Sequence, residues 1–346
     1  MFLVRTLLGL EPIVADELRE RFGVRNVDVG HREVRFRARL TPALVDLGTA
    51  DDVFLVVHDG PALGHHRAEL ERLSFAGQID LAAMASSLEP IRSVEDRTFD
   101  VSASFLGRRN YSRYEIEDAV GYAVESETGW RYQSRQQHEK PSGSLSLRVH
   151  LTSERATVAV RLASQPLHRR LYRVASRPGA LHPPLARALA RLAAPAGGGV
   201  LLDPFCGTGT VPIEAKLGQR SVHAVGSDVD RSAITAARRN ADAAGARVDF
   251  VGLDAGRLPF PDGAVDAVAT NPPWGLRVRA AGALAADFDR FWVELERLLR
   301  PGALAALLSP QDTATESWGS GISLVQRFPI RVSGALADVI VLARDT

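Results

Sequence analysis

From about residue 200 onward, short apolar runs alternate with amphipathic stretches, and this alternation restricts the C-terminal half to a doubly wound parallel sheet with helices on both faces. Val200–Asp203 reads as a strand, Val211–Leu217 as a helix, Val222–Asp228 as a strand, and Arg231–Ala244 as a helix stopped by Gly245. Val248–Leu253 and Val265–Thr270 continue the sheet, a helix around Phe288–Leu299 ends at Pro301-Gly302, and Ala303–Leu308 is a buried strand. Val325–Val332 with Val339–Leu342 is expected to close the sheet as an antiparallel hairpin.

Upstream, Pro and Gly punctuation divides the chain further. Residues 1–58 are expected to form a small α+β domain and residues 59–163 a second one, with strands at Phe99–Phe105, Leu145–Leu151 and Ala156–Leu162 and a helix over Glu115–Glu127. Residues 164–180 read as a polar, basic linker and 181–346 as the doubly wound domain. No apolar run approaches the roughly 18 residues that span a bilayer, and Glu11, Asp16 and Glu17 interrupt the opening segment. A cytoplasmic location, no membrane association and a monomer are the expectations. The single cysteine, Cys206, agrees with a reducing compartment and excludes Cys-rich metal sites, and the adjacent His65 and His66 lack the flanking acids of a metal site. No metal is expected.

The net charge is only +1, but residues 131–180 carry ten Arg or Lys against two acids, a candidate phosphate-binding stretch.

The strand ending at Asp203 opens through Pro204-Phe205-Cys206-Gly207-Thr208-Gly209-Thr210 directly into a helix, so its glycines stand where backbone approaches a ligand. The lysine of a nucleotide-binding P-loop is absent, and Pro212 replaces the third glycine of a dinucleotide loop. Asp228 follows Gly209 by 19 residues, where a carboxylate accepts both hydroxyls of a ribose. Asp254, ending the third strand, is placed to accept from an adenine amino group.

Asn271-Pro272-Pro273-Trp274-Gly275 follows the next strand. The exocyclic amine of a nucleobase is a poor nucleophile because its lone pair is delocalised into the ring; an amide oxygen and a backbone carbonyl accepting its two hydrogens localise that pair toward a methyl donor. Asn271 and the Pro272 carbonyl suit this task, the prolines stiffen the loop, and Trp274 offers a face for stacking. Pyrimidine C5 chemistry needs a cysteine nucleophile, and Cys206 lies in the glycine loop instead.

Asp203–Thr210 together with Asn271–Gly275 resembles the amino-group class of Rossmann-like, class I S-adenosylmethionine-dependent methyltransferases. The resemblance implies that Asp203 through Thr210 cradle the methionine part of the cofactor, that Asp228 and Val229 meet its ribose, and that Asp254 and Ala255 meet its adenine, with Asn271 beside the methyl group. Asn271, Pro272, Pro273 and Trp274 would be catalytic; Trp274 stands where Tyr or Phe is usual. Asp203 would assist either by holding the methionine amine or in proton removal.

Phe99–Phe105, Arg108-Arg109, Tyr111-Ser112, Val120-Gly121, Pro166–Arg173 and Gly179–Ala186, in that order, are similar to the THUMP-containing RNA methyltransferases. That resemblance implies a ferredoxin-like domain at 1–58 and a THUMP domain at 59–163, both gripping RNA, usually the tRNA acceptor region. It also implies N2-methylguanosine as the product. Arg108, Arg109, Arg113, Arg169, Arg170 and Arg173 are the expected RNA contacts. Ribosomal-RNA guanine N2 methylation, DNA amino methylation and a non-catalytic RNA-binding protein are the alternatives.

Overall fold

The computed structural model describes residues 1–71, 73, 75–136, 143–274, 279–311, 318–332 and 334–346. Gly275 of the Asn271–Gly275 motif lies outside the described residues. The chain forms two compact units, one of residues Met1–Arg5 and Ala15–Leu167, the other of Thr6–Val14 and His168–Thr346.

The first unit is built on β1 (Phe2–Arg5), β2 (Val27–Gly30), β3 (Glu33–Phe36), β4 (Asp52–Pro61), β5 (Thr98–Phe105), β6 (Arg131–Tyr132), β7 (Leu145–Leu151) and β8 (Arg155–Arg161). These strands make one eight-stranded sheet in the order β2-β3-β1-β4-β8-β7-β5-β6. The boundary expected at residue 58 therefore falls inside β4, which pairs with β1 on one side and β8 on the other. Two small sheets joined edge to edge leave no exposed strand at the junction, so residues 1–58 and 59–163 share a sheet. Helix α1 (Glu11–Phe22) spans the division between the units; α2 (Leu81–Leu88) was not foreseen, and α3 (Arg113–Thr128) matches the helix expected over 115–127. Ser112 and Glu115 fix the start of α3 by bonding each other's backbone N–H, and Gly129, in the left-handed region, ends it.

The second unit contains α4 (Pro183–Ala193), β9 (Gly199–Asp203), α5 (Thr210–Gly218), β10 (Val222–Asp228), α6 (Arg231–Ala244), β11 (Asp249–Gly252), β12 (Val265–Thr270), α7 (Arg290–Leu298), β13 (Leu299–Pro310), β14 (Ile322–Val332) and β15 (Ala335–Arg344). The sheet order is β11-β10-β9-β12-β13-β15-β14, parallel from β11 to β13, with the expected terminal hairpin antiparallel. Alternate residues feed two cores. Leu201, Ala267, Ala306 and Val341 bury against α4 on one face, while Leu202, Val268, Leu307 and Ile340 bury against α7 on the other. Pro183 and Pro184, at the first positions of α4, preset its entry dihedral.

Two sequence boundaries are corrected. Leu7, Leu10 and Ile13 belong to the core of the second unit with Leu185, Leu189 and Val339. Gly9 (φ +102) is needed there because a Cβ would lie 2.3 Å from the Pro329 carbonyl oxygen. The segment read as a linker at 164–180 is also structural, since the second unit begins at His168. Its Arg170 guanidinium and Tyr172 hydroxyl donate to Glu214 at 2.8 and 2.9 Å, and the Ala175 backbone exchanges two hydrogen bonds with Asn240.

Candidate active site

Strand β9 lies between β10 and β12, where the strand order reverses and the loops leaving the strands part to leave a crevice. The glycine loop follows β9, Asp228 ends β10, and Asn271 follows β12, so the topology brings three of the sequence-derived elements together. Asp254 follows β11, the next strand out.

Hydrogen bonds fix these ends to one another. Cys206 N donates to Ser227 O at 2.9 Å, and Gly207 N donates to Asp228 Oδ2 at 2.9 Å, tying the glycine loop to β10. Asp228 Oδ1 accepts from Asp230 N at 2.9 Å, which orients the carboxylate while each oxygen keeps a lone pair. Gly207 (φ +51) and Gly209 (φ +81) are both left-handed, but for different reasons. A Cβ on Gly209 would lie 2.8 Å from the Phe250 ring, whereas at Gly207 it would meet no atom of the described residues within 4 Å. The space over Gly207 is thus open for a ligand.

Thr208 and Thr210 are buried, the latter beginning α5. Among the described residues Thr208 Oγ1 has no partner, while the Thr208 carbonyl accepts from Asn240 Nδ2 at 2.9 Å. Pro204 is buried, and the Phe205 ring meets Phe291 edge-on at 5.1 Å. Cys206 is buried among Ile213, Ile234 and Phe250, and burial pushes its thiol well above the ordinary range. A neutral packing thiol suits the absence of any nucleophilic role. Val229 is exposed and Ala255 buried. Both oxygens of Asp254 accept backbone N–H groups, Oδ1 from Gly256 at 2.9 Å and Oδ2 from Ala283 at 2.7 Å.

Asn271 and Trp274 are half-buried, with Pro272 buried and Pro273 half-buried between them. The loop is held at both ends. Thr270 Oγ1 donates to Asp203 Oδ1 at 2.6 Å, and the Trp274 indole N–H donates to Leu308 O at 2.8 Å. The Trp274 ring also packs near Phe288 and Trp292, with centroids 5.4 and 6.3 Å away. It therefore belongs to a wall and is not a freely projecting platform.

Asp203 is 2 % exposed, and burial pushes its carboxyl up to about 7, reinforced by Asp228 and opposed by the bonds from Thr270 and Phe205 N. A carboxyl raised in the folded state contributes stability that is present below its unfolded value near 4 and lost as pH rises through about 7. The neutral mimic Asp203→Asn is expected to match the wild type at about pH 3, below both values, and to exceed it in denaturant midpoint at pH 8. Equal midpoints at pH 8 would contradict a protonatable Asp203.

The expected RNA contacts divide into two kinds. Arg108, Arg113 and Arg169 are exposed. Arg109 instead donates to the carbonyls of Leu63, Gly64 and Thr152 and to the Tyr111 hydroxyl, and Arg170 is paired with Glu214. Both guanidinium groups are internal ties in this structure. Arg173 is half-buried, with Nη2 3.4 Å from Ser176 Oγ. Residues not foreseen include Thr270, Glu214 and Asn240. Glu214 carried a signal, being a lone acid in the apolar helix run Val211–Ala215.

The sheet order, glycine loop and strand-end acids define a class I, Rossmann-like methyltransferase. A family model described as the RMKL-like methyltransferase domain matches residues 170–334. The tRNA (guanine(6)-N2)-methyltransferase of Thermus thermophilus is 32% identical over 315 residues, covering 87% of this chain and 86% of that protein. The crystal structure of TrmN from Thermus thermophilus superposes with a TM-score of 0.79 at 28% identity, covering 99% of both chains. The U6 snRNA (guanine-N(2))-methyltransferase THUMPD2 of Bos taurus is 30% identical over 225 residues; the match spans 64% of this chain but only 42% of that longer relative. The chain belongs to the family of the Thermus thermophilus tRNA (guanine(6)-N2)-methyltransferase, and its residues 170–334 carry the RMKL-like methyltransferase domain.

Proposed function

We propose that the protein transfers a methyl group from S-adenosylmethionine to the exocyclic N2 of a guanine in tRNA. The observation that carries this reading is the Asn271–Trp274 loop, pinned at both ends and joined through Thr270 and Asp203 to the strand that launches the glycine loop. One hydrogen bond thus links the candidate donor and acceptor halves of the site.

The residues present fit the cofactor. The open space over Gly207 admits its methionine part, Asp228 keeps lone pairs for two ribose hydroxyls, and Asp254, although used by two backbone amides, keeps lone pairs for an adenine amine. Bound there, S-adenosylmethionine supplies an electrophilic methyl on a positively charged sulfur. Asp203 lies at the start of the same loop, where ionisation near neutral pH complements a cationic ligand.

Asn271 Oδ1 and the Pro272 carbonyl accept the two hydrogens of the guanine amine and turn its lone pair out of conjugation. Neither proline can donate an N–H, so the loop offers acceptors to an amine and disfavours a carbonyl in the same place. The Trp274 wall with Phe288 and Trp292 bounds the pocket with aromatic surface and excludes water. After transfer the amine is strongly acidic, and loss of its proton needs no dedicated base. A base inside a duplex cannot reach such a loop, so the guanine is flipped out or presented unpaired.

In this reading the N-terminal unit serves as the THUMP-type RNA-binding module, with Arg108 and Arg113 as exposed cations on it and Arg169 as one on the catalytic unit. A tRNA substrate and one buried thiol suit the cytoplasm. The test is to offer methyl-labelled S-adenosylmethionine with total tRNA, rRNA or DNA in parallel. Label is expected in tRNA; label confined to rRNA or DNA contradicts the proposed substrate.

A further inference from the structure

The eight-stranded sheet of the N-terminal unit has two unlike faces. Phe2, Val4, Val34, Phe36, Val101, Leu147 and Val160 share the apolar one. The other presents Arg5 opposite Glu33 and Asp52, Arg161 opposite Phe54, Asp59 opposite Thr157, and Arg148 between Ser102 and Ala159. Leu3, Phe54 and Ala159 form a small buried apolar floor within it.

Most of the arginines here have a carboxylate. Arg5 pairs with Glu33 at 3.0 Å, Arg35 with Glu33 and Asp59 at 3.0 Å each, Arg161 with Asp52 at 2.7 Å, and Arg155 with Asp59 at 3.4 Å. Arg148 is the exception: no hydrogen-bond or ion-pair acceptor serves it among the described residues. It is half-buried, and burial together with the charges of Arg5 and Arg161, opposed by the Asp52 carboxylate that Arg161 already holds, pulls its guanidinium down to about 10. Arg92 is under-satisfied nearby. Its Nε and Nη1 donate to the Leu162 and Ser144 carbonyls, its buried Nη2 has no partner among the described residues, and it too is opposed by Arg161. A half-buried cation facing like charges is costly unless an anion joins it.

We propose that Arg148, with Arg5 and Arg161 beside it, receives a phosphate group of the RNA backbone on the polar face of this sheet. The inference rests on the RNA-methylating reading for the identity of the anion. A free phosphate offers the same chemistry, and the experiment separates the two sources.

Arg148→Gln and Arg148→Lys are made in the full chain, and tRNA affinity is measured across a salt series alongside melting with and without inorganic phosphate. Arg148→Gln is expected to weaken binding roughly tenfold at low salt and to reduce the salt slope by about 0.7–0.9, the equivalent of one phosphate contact. Arg148→Lys keeps the slope because it keeps the charge. Without phosphate, Arg148→Gln should melt no lower than the wild type, since it removes an opposed charge. Unchanged affinity and slope in Arg148→Gln overturns the proposal, as does a lower melting temperature with unchanged affinity. Melting that responds to phosphate while tRNA affinity does not change assigns the site to a free anion and overturns the RNA assignment. Wild-type protein that fails to bind RNA at all overturns the methylation reading instead, so the two failures are distinguishable.

Discussion

Asn271→Ala is expected to lower methyl transfer by about 10²-fold or more while leaving S-adenosylmethionine affinity nearly unchanged. The alanine removes the side-chain acceptor for the target amine, and an oriented polar group acting on the reacting centre is worth that much in comparable sites. The backbone geometry should survive, because the loop is held by Thr270 on Asp203 and by the Trp274 indole on Leu308, neither of which uses the Asn271 amide. Cofactor affinity is the control that matters. Single-turnover transfer and calorimetric titration of the cofactor, run on the same preparation, separate a lost amine contact from a collapsed site. Unchanged turnover would remove Asn271 from the chemistry.

The second large effect is structural. Glu214 is fully buried on α5 and accepts from Arg170 Nε at 2.8 Å, Arg187 Nε at 2.9 Å and the Tyr172 hydroxyl at 2.9 Å. Glu214→Ala leaves two largely buried guanidinium groups and a phenol without their shared acceptor. Removing one member of such a cluster costs about 3–5 kcal/mol, equivalent to a fall in Tm of about 10 °C for a domain of this size. Glu214→Gln retains an acceptor and should lose less. Since α5 begins at the glycine loop, cofactor affinity is expected to fall with stability in Glu214→Ala. Thermal melting with and without S-adenosylmethionine measures both, and a melting temperature within about 2 °C of wild type would contradict the proposed role of this cluster.

The catalytic unit was legible in the sequence to the extent that its elements follow from periodicity. Apolar runs such as Val265–Thr270 become strands because their alternate residues face two separate cores, and the glycine loop and Asn271 lie at strand ends whose positions the topology fixes. Charge was less legible. Arg109 and Arg170 were expected to contact RNA on the family resemblance, which does not reveal the carbonyls of Leu63 and Thr152 or the buried Glu214 that hold them. The same limit hid Trp274, whose indole N–H finds Leu308 only through packing of β12 beside β13. The continuous N-terminal sheet was missed because the pairing of β4 with β8 joins residues about a hundred positions apart, beyond any local pattern.

The central claim is guanine N2 methylation, and nucleoside mass spectrometry of tRNA after reaction with methyl-labelled S-adenosylmethionine tests it most directly. The account predicts labelled N2-methylguanosine, absent when Asn271→Ala protein is used under the same conditions. Label in N6-methyladenosine or N4-methylcytidine, or in a ring carbon, would contradict it.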